Sequence, residues 1–338
     1  MTAMKEQPSA RQIYGTIGPA CADVETLEAM FRAGMTGIRL NLSHVTLAQA
    51  ADQVDALHKA AQRCGKQAEL LIDMQGPELR VGVLAEPLTL NEGEVLELGG
   101  KGIPLPDIAI PALLTGQEVL LDDGKLLLQV TEQTESGAVA EVLRGGVLRG
   151  RKSLALPGAD LEPPTMTASD VENIRVAASC GVTGVMQPFV RSRRDLETVR
   201  QALDENGGAN IRLFAKIENQ TGLERLPEFL ETADEIVIAR GDLGNAMPLW
   251  ELPAAQKRIE AQCRKAGKPF MVVTQMLASM EQNPVPTRAE VSDIFNAVAD
   301  GAAAVMVTGE TAVGKWPVEV IRYLSNTVQA AERFLKEE

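Results

Sequence analysis

Short apolar runs alternate with longer amphipathic segments along most of the chain. The short runs predict buried strands, whereas the segments between them repeat apolar positions at helical spacing and predict helices. The predicted strands cover residues 12–16, 37–41, 69–73, 184–187, 212–216, 235–239, 270–274 and 304–307. The predicted helices cover residues 24–33, 47–64, 168–180, 193–204, 222–232, 253–266, 288–300 and 317–334. This alternation indicates an α/β fold with a parallel sheet, and eight such units predict a (β/α)8 TIM barrel.

The alternation stops between residues 81 and 152, where Gly and Pro separate short β-like pieces at 94–98, 119–121, 126–130 and 138–142. We therefore predict a small all-β domain, residues 81–152, inserted after the third strand of a barrel domain made of residues 1–80 and 153–338. An insert at the C-terminal end of a barrel strand lies at the face that carries active sites, so we interpret it as a lid. The alternative is an insertion without a catalytic role.

The charge composition of the chain disfavours some classes of binding partner. Among the 338 residues, 46 are acidic and 33 basic, and the formal net charge of −13 opposes binding to nucleic acid or to anionic membranes. A phosphate site must therefore be a local cluster of cations. No apolar run approaches the roughly 20 residues that span a bilayer, and the first residues lack the apolar core of a signal peptide. Four dispersed cysteines suit a reducing compartment, so we expect a cytoplasmic protein.

Polar side chains accumulate at the C-terminal ends of six predicted strands, where the active sites of (β/α)8 barrels lie. One such residue could be a structural ion pair, but six ends together favour a catalytic site. The residues concerned are Arg39, Asn41, Ser43, His44, Asp73, Lys216, Glu218, Asp242, Thr274 and Glu310, with Glu78 and Arg80 just beyond the third strand.

Glu218 and Asp242 are 24 residues apart, which is one strand–helix unit, so we expect neighbouring positions on the barrel rim. Two carboxylates in a chain with only two histidines favour a hard cation, Mg²⁺ or Mn²⁺. The alternative is a carboxylate pair neutralised by Arg240 and Lys216. Lys216 projects to the same side of its strand as Glu218, where an ammonium group offsets the charge of a phosphoryl group or an enolate.

Two arginines, Arg39 and Arg80, supply the bidentate forks that suit phosphate recognition. The Gly241-Asp242-Leu243-Gly244 turn also presents backbone N–H groups, although this signal is weak alone.

Ten segments of the chain resemble the motifs of pyruvate kinases and occur in the order found in that family. They are Thr-Ile-Gly-Pro-Ala (16–20), Arg-Leu-Asn-Leu-Ser-His (39–44), Gly-Pro-Glu-Leu-Arg (76–80), Asp-Asp-Gly (122–124), Leu-Pro-Gly (156–158), Lys-Ile-Glu-Asn (216–219), Ala-Arg-Gly-Asp-Leu-Gly (239–244), Thr-Gln-Met-Leu (274–277), Pro-Thr-Arg-Ala-Glu (286–290) and Gly-Glu-Thr-Ala (309–312). The resemblance implies phosphoryl transfer from phosphoenolpyruvate to ADP, giving pyruvate and ATP, with Mg²⁺ or Mn²⁺ and K⁺ as cofactors.

The resemblance also implies roles for single residues. Lys216, Thr274 and Arg39 would be catalytic, with Arg39 contacting phosphate and Lys216 stabilising the phosphoryl group and the enolate. Glu218 and Asp242 would hold the divalent cation. The substrate would be bound by Arg39, Lys216, Thr274 and the backbone of Gly241 and Asp242. Potassium would be bound by Asn41, Ser43, Asp73 and the carbonyl of Met74, and the nucleotide would lie near Asn41, His44, Arg80 and Lys152.

Several positions depart from the family pattern, namely Met74-Gln75, Pro188, Asn245-Ala246 and Thr308. The usual C-terminal regulatory domain is expected to be absent, and a homo-oligomer is expected. Two other functions fit some of the same residues. A metal-dependent lyase or aldolase acting through a pyruvate enolate would use the Glu218–Asp242 pair, and a non-catalytic relative would only bind phosphoenolpyruvate.

Overall fold

The computed structural model describes residues 11–43, 45–122, 124–159, 161 and 163–337. The chain divides into two compact units. The first unit comprises the residues up to Gly76 and from Met166 onward, and the second comprises Pro77–Thr165. The predicted insert, residues 81–152, falls within this second unit.

The described residues form fifteen strands, of which eight belong to the first unit. In chain order the strands are β1 (Gln12–Thr16), β2 (Gly37–Asn41), β3 (Glu69–Asp73), β4 (Leu88–Leu90), β5 (Val95–Gly99), β6 (Glu118–Leu121), β7 (Leu126–Thr134), β8 (Gly137–Arg144), β9 (Gly146–Leu148), β10 (Leu154–Ala155), β11 (Gly184–Gln187), β12 (Arg212–Ile217), β13 (Glu235–Ala239), β14 (Phe270–Val273) and β15 (Ala304–Met306).

Helices follow the barrel strands. They are α1 (Val24–Arg32), α2 (Ala51–Arg63), α3 (Ala168–Ala177), α4 (Arg193–Glu205), α5 (Gln220–Phe229), α6 (Arg240–Asn245), α7 (Leu252–Ala266), α8 (Arg288–Ala299), α9 (Gly309–Ala312) and α10 (Pro317–Glu337). Local sequence fixes several starts. Thr167, Ser192 and Thr287 each form a capping box with an acidic residue three positions on, which satisfies backbone N–H groups at the first turn. In the described part of the chain, no helix combines the length and apolarity needed to cross a membrane.

The first unit is a closed barrel of eight parallel strands, in the order β1-β15-β14-β13-β12-β11-β3-β2. The predicted (β/α)8 architecture is therefore confirmed. Alternate residues of each strand face the barrel interior, where Leu71, Met186, Phe214, Val237 and Met271 belong to one buried cluster. The intervening residues face the helices and join a larger core. Because of this alternation, every second residue at a strand's C-terminal end points into the barrel mouth.

In its described residues, the second unit consists mainly of strands, with one short 3-10 helix at Asp107–Ala112. Strands β10, β6, β7, β8 and β5 form an antiparallel five-stranded sheet, and β4 pairs with β9. Its own core contains Val119, Leu128, Val130, Ala140 and Val142. Strands β4, β9 and β10 were not predicted, because strands of two or three residues are too short to show an alternating pattern.

Candidate functional site

Four charged side chains meet inside the C-terminal end of the barrel. Arg39 lies on β2, Asp73 ends β3, Lys216 lies on β12, and Glu218 follows directly after β12. Each is part of the inward-facing series of its strand, so the strand period brings together residues that are up to 179 positions apart. All four side chains are largely buried, from 2% to 14% exposed.

Asp73 connects the two cations of this cluster. Its Oδ2 accepts a hydrogen bond from Arg39 Nε at 2.8 Å and lies 2.7 Å from Arg39 Nη2. Lys216 Nζ donates to both carboxylate oxygens of Asp73 at 3.1 Å and lies 2.9 Å from Glu218 Oε1. The ammonium group is therefore held between two carboxylates, and its position is fixed before any substrate arrives.

The electrostatics of this cluster favour ionised groups at Lys216 and Asp73. Burial lowers the pKa of Lys216, but the carboxylates of Asp73 and Glu218 outweigh burial and raise this pKa above its ordinary value. Burial raises the pKa of Asp73, but Lys216 and Arg39 outweigh it and hold the pKa below its ordinary value. A buried lysine whose charged form is favoured is suited to stabilising negative charge.

Glu218 and Asp242 have the properties expected of a divalent-cation site. Burial, with a further contribution from the Asp242 carboxylate, raises the pKa of Glu218 to about 7 against the opposing effect of Lys216. A bound cation would relieve both the burial and the repulsion of these two groups. Glu218 Oε2 also accepts a hydrogen bond from the Phe189 backbone N–H at 3.0 Å, which orients the carboxylate.

The donor set is small. Among the residues that the structure describes, no cluster of three or more His, Cys, Asp or Glu side chains suits a metal ion. Two hard oxygen ligands leave most of the coordination of Mg²⁺ to water and to substrate oxygens, which is the usual arrangement at phosphoryl-transfer sites. Glu218 and Asp242 therefore fit a cation with open coordination positions rather than a fully protein-ligated structural metal.

Thr274 lies directly after β14, next to the turn that carries Asp242. A Cβ atom added to Gly241 would lie 3.2 Å from Thr274 Cγ2, so the glycine permits the two strand ends to approach closely. The predicted strand ended at Thr274, whereas β14 ends at Val273. The difference arises because Thr274 has a φ of +83°, which is incompatible with a strand.

The residues expected to bind potassium lie at the ends of β2 and β3. Asn41 Oδ1 accepts a hydrogen bond from the Ser43 backbone N–H at 3.1 Å, which closes a tight turn. Asp73 is engaged by Arg39 and Lys216, a pairing that the sequence analysis did not predict. The Met74 backbone N–H donates to the Met186 carbonyl at 3.1 Å. The potassium site remains a prediction.

Of the residues expected near a nucleotide, Asn41 lies in the barrel, Arg80 and Lys152 belong to the second unit, and His44 lies outside the described residues. Arg80 pairs with Glu78 at 2.6 Å and donates to the Arg151 carbonyl at 2.8 Å. Lys152 pairs with Asp122 at 2.8 Å. Their role in binding a nucleotide remains a prediction.

Two further networks at the barrel mouth were not predicted. The Glu310 carboxylate accepts hydrogen bonds from the backbone N–H groups of Thr308 at 2.6 Å and Leu277 at 3.1 Å, and so joins the ends of β14 and β15. Arg240 donates to the Thr274 carbonyl and pairs with Asp293. The polar strand ends identified Glu310 as a candidate, but the sequence contains no signal for the partners of Arg240.

Comparison with known proteins agrees with this geometry. A family model described as the barrel domain of pyruvate kinase matches residues 9–321. The pyruvate kinase of Bacillus licheniformis is 36% identical over 335 residues, which cover 96% of this chain and 57% of that protein. That of Staphylococcus saprophyticus subsp. saprophyticus is 37% identical over 332 residues, with 95% and 57% covered. That of Agrobacterium vitis is 37% identical over 336 residues, with 95% and 68% covered. The chain thus spans little more than half the length of the first two relatives.

Proposed function

The chain belongs to the pyruvate kinase family, and from that premise we propose that it transfers a phosphoryl group from phosphoenolpyruvate to ADP, giving pyruvate and ATP. The observation that carries the proposal is the Lys216 ammonium group, which lies 2.9 Å from Glu218 Oε1 and 3.1 Å from both oxygens of Asp73. Phosphoryl transfer depends mainly on positioning and on stabilising charge, and a buried cation with fixed partners provides both.

A divalent cation, Mg²⁺ or Mn²⁺, held by Glu218 and Asp242, would supply positive charge beside the phosphoryl and enolate oxygens. Lys216 would stabilise the same oxygens from the inner side of the barrel. Arg39 would contact the phosphate with the guanidinium edge that Asp73 does not occupy. The Arg39 side chain is held by two contacts to Asp73, so little conformational entropy remains to be lost on binding.

Thr274 would bind the substrate carboxylate together with the backbone of Gly241 and Asp242. Its hydroxyl would lie beside the enolate carbon that gains a proton to form pyruvate. We further propose that K⁺ binds at Asn41, Ser43, Asp73 and the Met74 carbonyl. The nucleotide site would include Asn41, His44, Arg80 and Lys152. The close approach of Gly241 to Thr274 supports a shared carboxylate site.

A direct experiment is a coupled assay for pyruvate, with phosphoenolpyruvate, ADP, K⁺ and Mg²⁺, beside an assay for aldol cleavage of a 4-hydroxy-2-oxo acid. The proposal predicts pyruvate formation that requires both ADP and the divalent cation, and no aldol cleavage. Pyruvate released only by aldol cleavage would indicate a lyase instead. Binding of phosphoenolpyruvate without turnover in either assay would indicate a non-catalytic relative.

A further inference from the structure

The segment after β14 has an unusual backbone. Thr274 and Gln275 are consecutive non-glycine residues with positive φ, +83° and +54°. A β-branched residue such as Thr avoids this region, and a residue held there costs of order 1–3 kcal/mol unless its surroundings impose the conformation. Something in the fold must therefore hold the Thr274 backbone in place.

The Arg240 guanidinium makes several contacts with this segment. Its Nε and Nη2 both donate to the Thr274 carbonyl, at 3.1 Å and 2.6 Å. Nη2 also lies 3.0 Å from Met276 Sδ. Nη1 donates to Asp293 Oδ2 on α8 at 2.7 Å, which fixes the plane of the guanidinium. The Arg240 side chain is 13% exposed, so water competes little for these contacts.

Arg240 also lies in the first turn of α6, which carries the proposed metal ligand Asp242. It is the first residue of α6 and immediately precedes Gly241 and Asp242. The Arg240 side chain thus connects the start of α6 to the carbonyl of Thr274. A shift of Thr274 by about 1 Å would be enough to slow a step that depends on its hydroxyl by about 10²-fold.

We propose that Arg240 is a positioning residue, which holds Thr274 in its left-handed conformation and so directs the Thr274 hydroxyl toward the carbon that is protonated. Arg240 acts through Thr274 and does not itself contact the substrate. The effect on protonation rests on the proposed function. The effect on the Thr274 backbone conformation does not depend on any activity.

The structural part is tested by a double-mutant cycle on the unfolding equilibrium, with the substitutions Arg240→Met and Thr274→Gly. In the protein that keeps Thr274, losing Arg240 removes hydrogen bonds but also lets the strained backbone relax. In the Thr274→Gly variant there is no strain to release, so the loss costs more. Arg240→Met should raise the equilibrium constant for unfolding in both backgrounds. We expect this rise to be about five times larger in the Thr274→Gly variant than in the protein that keeps Thr274. The entropy that glycine adds to the unfolded chain cancels within the cycle. Equal factors would overturn the proposal.

The catalytic part is tested by the exchange of pyruvate methyl protons for solvent deuterons in D₂O, followed by ¹H NMR with Mg²⁺, K⁺ and ATP present. Each exchange removes one methyl proton to solvent and returns one deuteron, without net phosphoryl transfer. Arg240→Met is expected to slow exchange by about tenfold or more, with Arg240→Lys intermediate. Mn²⁺ affinity, measured by electron paramagnetic resonance without substrate, is expected to stay unchanged.

Arg200→Met is the matched control. Arg200 likewise donates to a backbone carbonyl, that of Ile211 at 2.9 Å, and pairs with an aspartate, Asp234, at 2.8 Å, but has no contact with Thr274. Its replacement should leave exchange unchanged. Unchanged exchange in Arg240→Met, or an equal loss in Arg200→Met, would overturn the positioning role. If the unaltered protein does not exchange protons at all, the proposed function fails, and the unfolding cycle alone decides the role of Arg240.

Discussion

Lys216 carries a charge that two buried carboxylates hold in place. Its ammonium group contacts Asp73 and Glu218, and this arrangement raises its pKa in spite of burial. The cost of removing the ammonium group from water is already met in the folded barrel. In the proposed reaction, a phosphoryl group or enolate would therefore meet a buried cation that its partners already hold in place.

Replacing Lys216 by Met is expected to lower kcat by about 10²–10³-fold while KM for phosphoenolpyruvate changes much less. The reason is that negative charge on the bridging and enolate oxygens grows mainly in the transition state. Steady-state kinetics in the coupled assay measure both constants. A variant that kept a tenth of the original turnover would contradict this role for Lys216.

The same substitution leaves Glu218 without its cation, so folding needs a control. Breaking a buried ion pair costs about 3–5 kcal/mol, and urea unfolding should be followed alongside the kinetics. Lys216→Arg keeps the charge and is expected to unfold like the original protein. Its broad guanidinium cannot replace the compact ammonium group, so turnover should still be low. Recovered turnover in Lys216→Arg would mean that charge alone is sufficient.

The site residues could be predicted from the sequence, but not all of their contacts could. The polar strand ends pointed to Arg39, Asp73, Lys216 and Glu218 as site candidates. Asp73 was expected to bind potassium, and its ion pair with Lys216 was not predicted. Strand β11 separates β3 from β12 in the barrel, so the contact forms across the interior. Such a contact depends on the curvature of the closed barrel, which sequence spacing does not specify.

At the level of strands and helices, hydrophobic alternation was sufficient to predict the barrel. Each predicted barrel strand has a counterpart, and the main errors lie at the ends. Strand β12 continues to Ile217, and β14 stops before Thr274. Thr is a strand-forming residue, so propensity extends the strand through Thr274. Its positive φ depends on contacts with Arg240, which lies on another strand–helix unit.

We predict that K⁺ bound at the ends of β2 and β3 activates the proposed reaction. Asn41 and Ser43 share one turn and offer neutral oxygens, which suit a large and weakly hydrated ion. Turnover is expected to be low in a tetramethylammonium buffer and to rise with KCl more than with NaCl, at fixed ionic strength. Ser43→Ala should raise the KCl concentration that gives half-maximal activity. Equal rates in all three salts would exclude a potassium site.

Across the whole barrel, polar groups occupy both ends of the interior, with an apolar layer between them. At the N-terminal end, Arg212 pairs with Glu69 at 2.5 Å and donates to the Tyr14 hydroxyl at 3.2 Å. Glu235 is 4% exposed, with its Oε2 3.6 Å from Arg212 and its Oε1 without a hydrogen-bond partner among the described residues. This end thus holds a poorly compensated buried carboxylate.

We expect the Glu235 carboxyl to make the stability of the barrel depend on pH. Burial, with a smaller contribution from Glu69, raises its pKa from 4.5 to about 7 against the opposing effect of Arg212. The folded state therefore binds the proton more tightly than the unfolded chain. The stability contributed by this proton is fully present below pH 4.5 and is lost as the pH rises through about 7.

Glu235→Gln removes this titration and keeps the shape of the side chain. At pH 8 the variant is expected to be more stable than the original protein by about 1–3 kcal/mol, whereas near pH 5 the difference should be small. Urea unfolding of both proteins at pH 5 and pH 8 measures this difference in the free energy of unfolding. The matched control is Glu231→Gln, at an exposed position four residues earlier, which should leave the pH response unaltered. The same stability difference at pH 5 and pH 8 would show that Glu235 does not titrate in this range.

The most direct measurement of the central claim is ³¹P NMR of the chain with phosphoenolpyruvate, ADP, Mg²⁺ and K⁺. Transfer at the Lys216 site predicts that the phosphoenolpyruvate signal falls while the γ-phosphate signal of ATP rises by the same amount. The Lys216→Met variant should show neither change on the same timescale. A growing signal of inorganic phosphate without ATP, or an unchanged phosphoenolpyruvate signal with the unaltered protein, would contradict phosphoryl transfer to ADP.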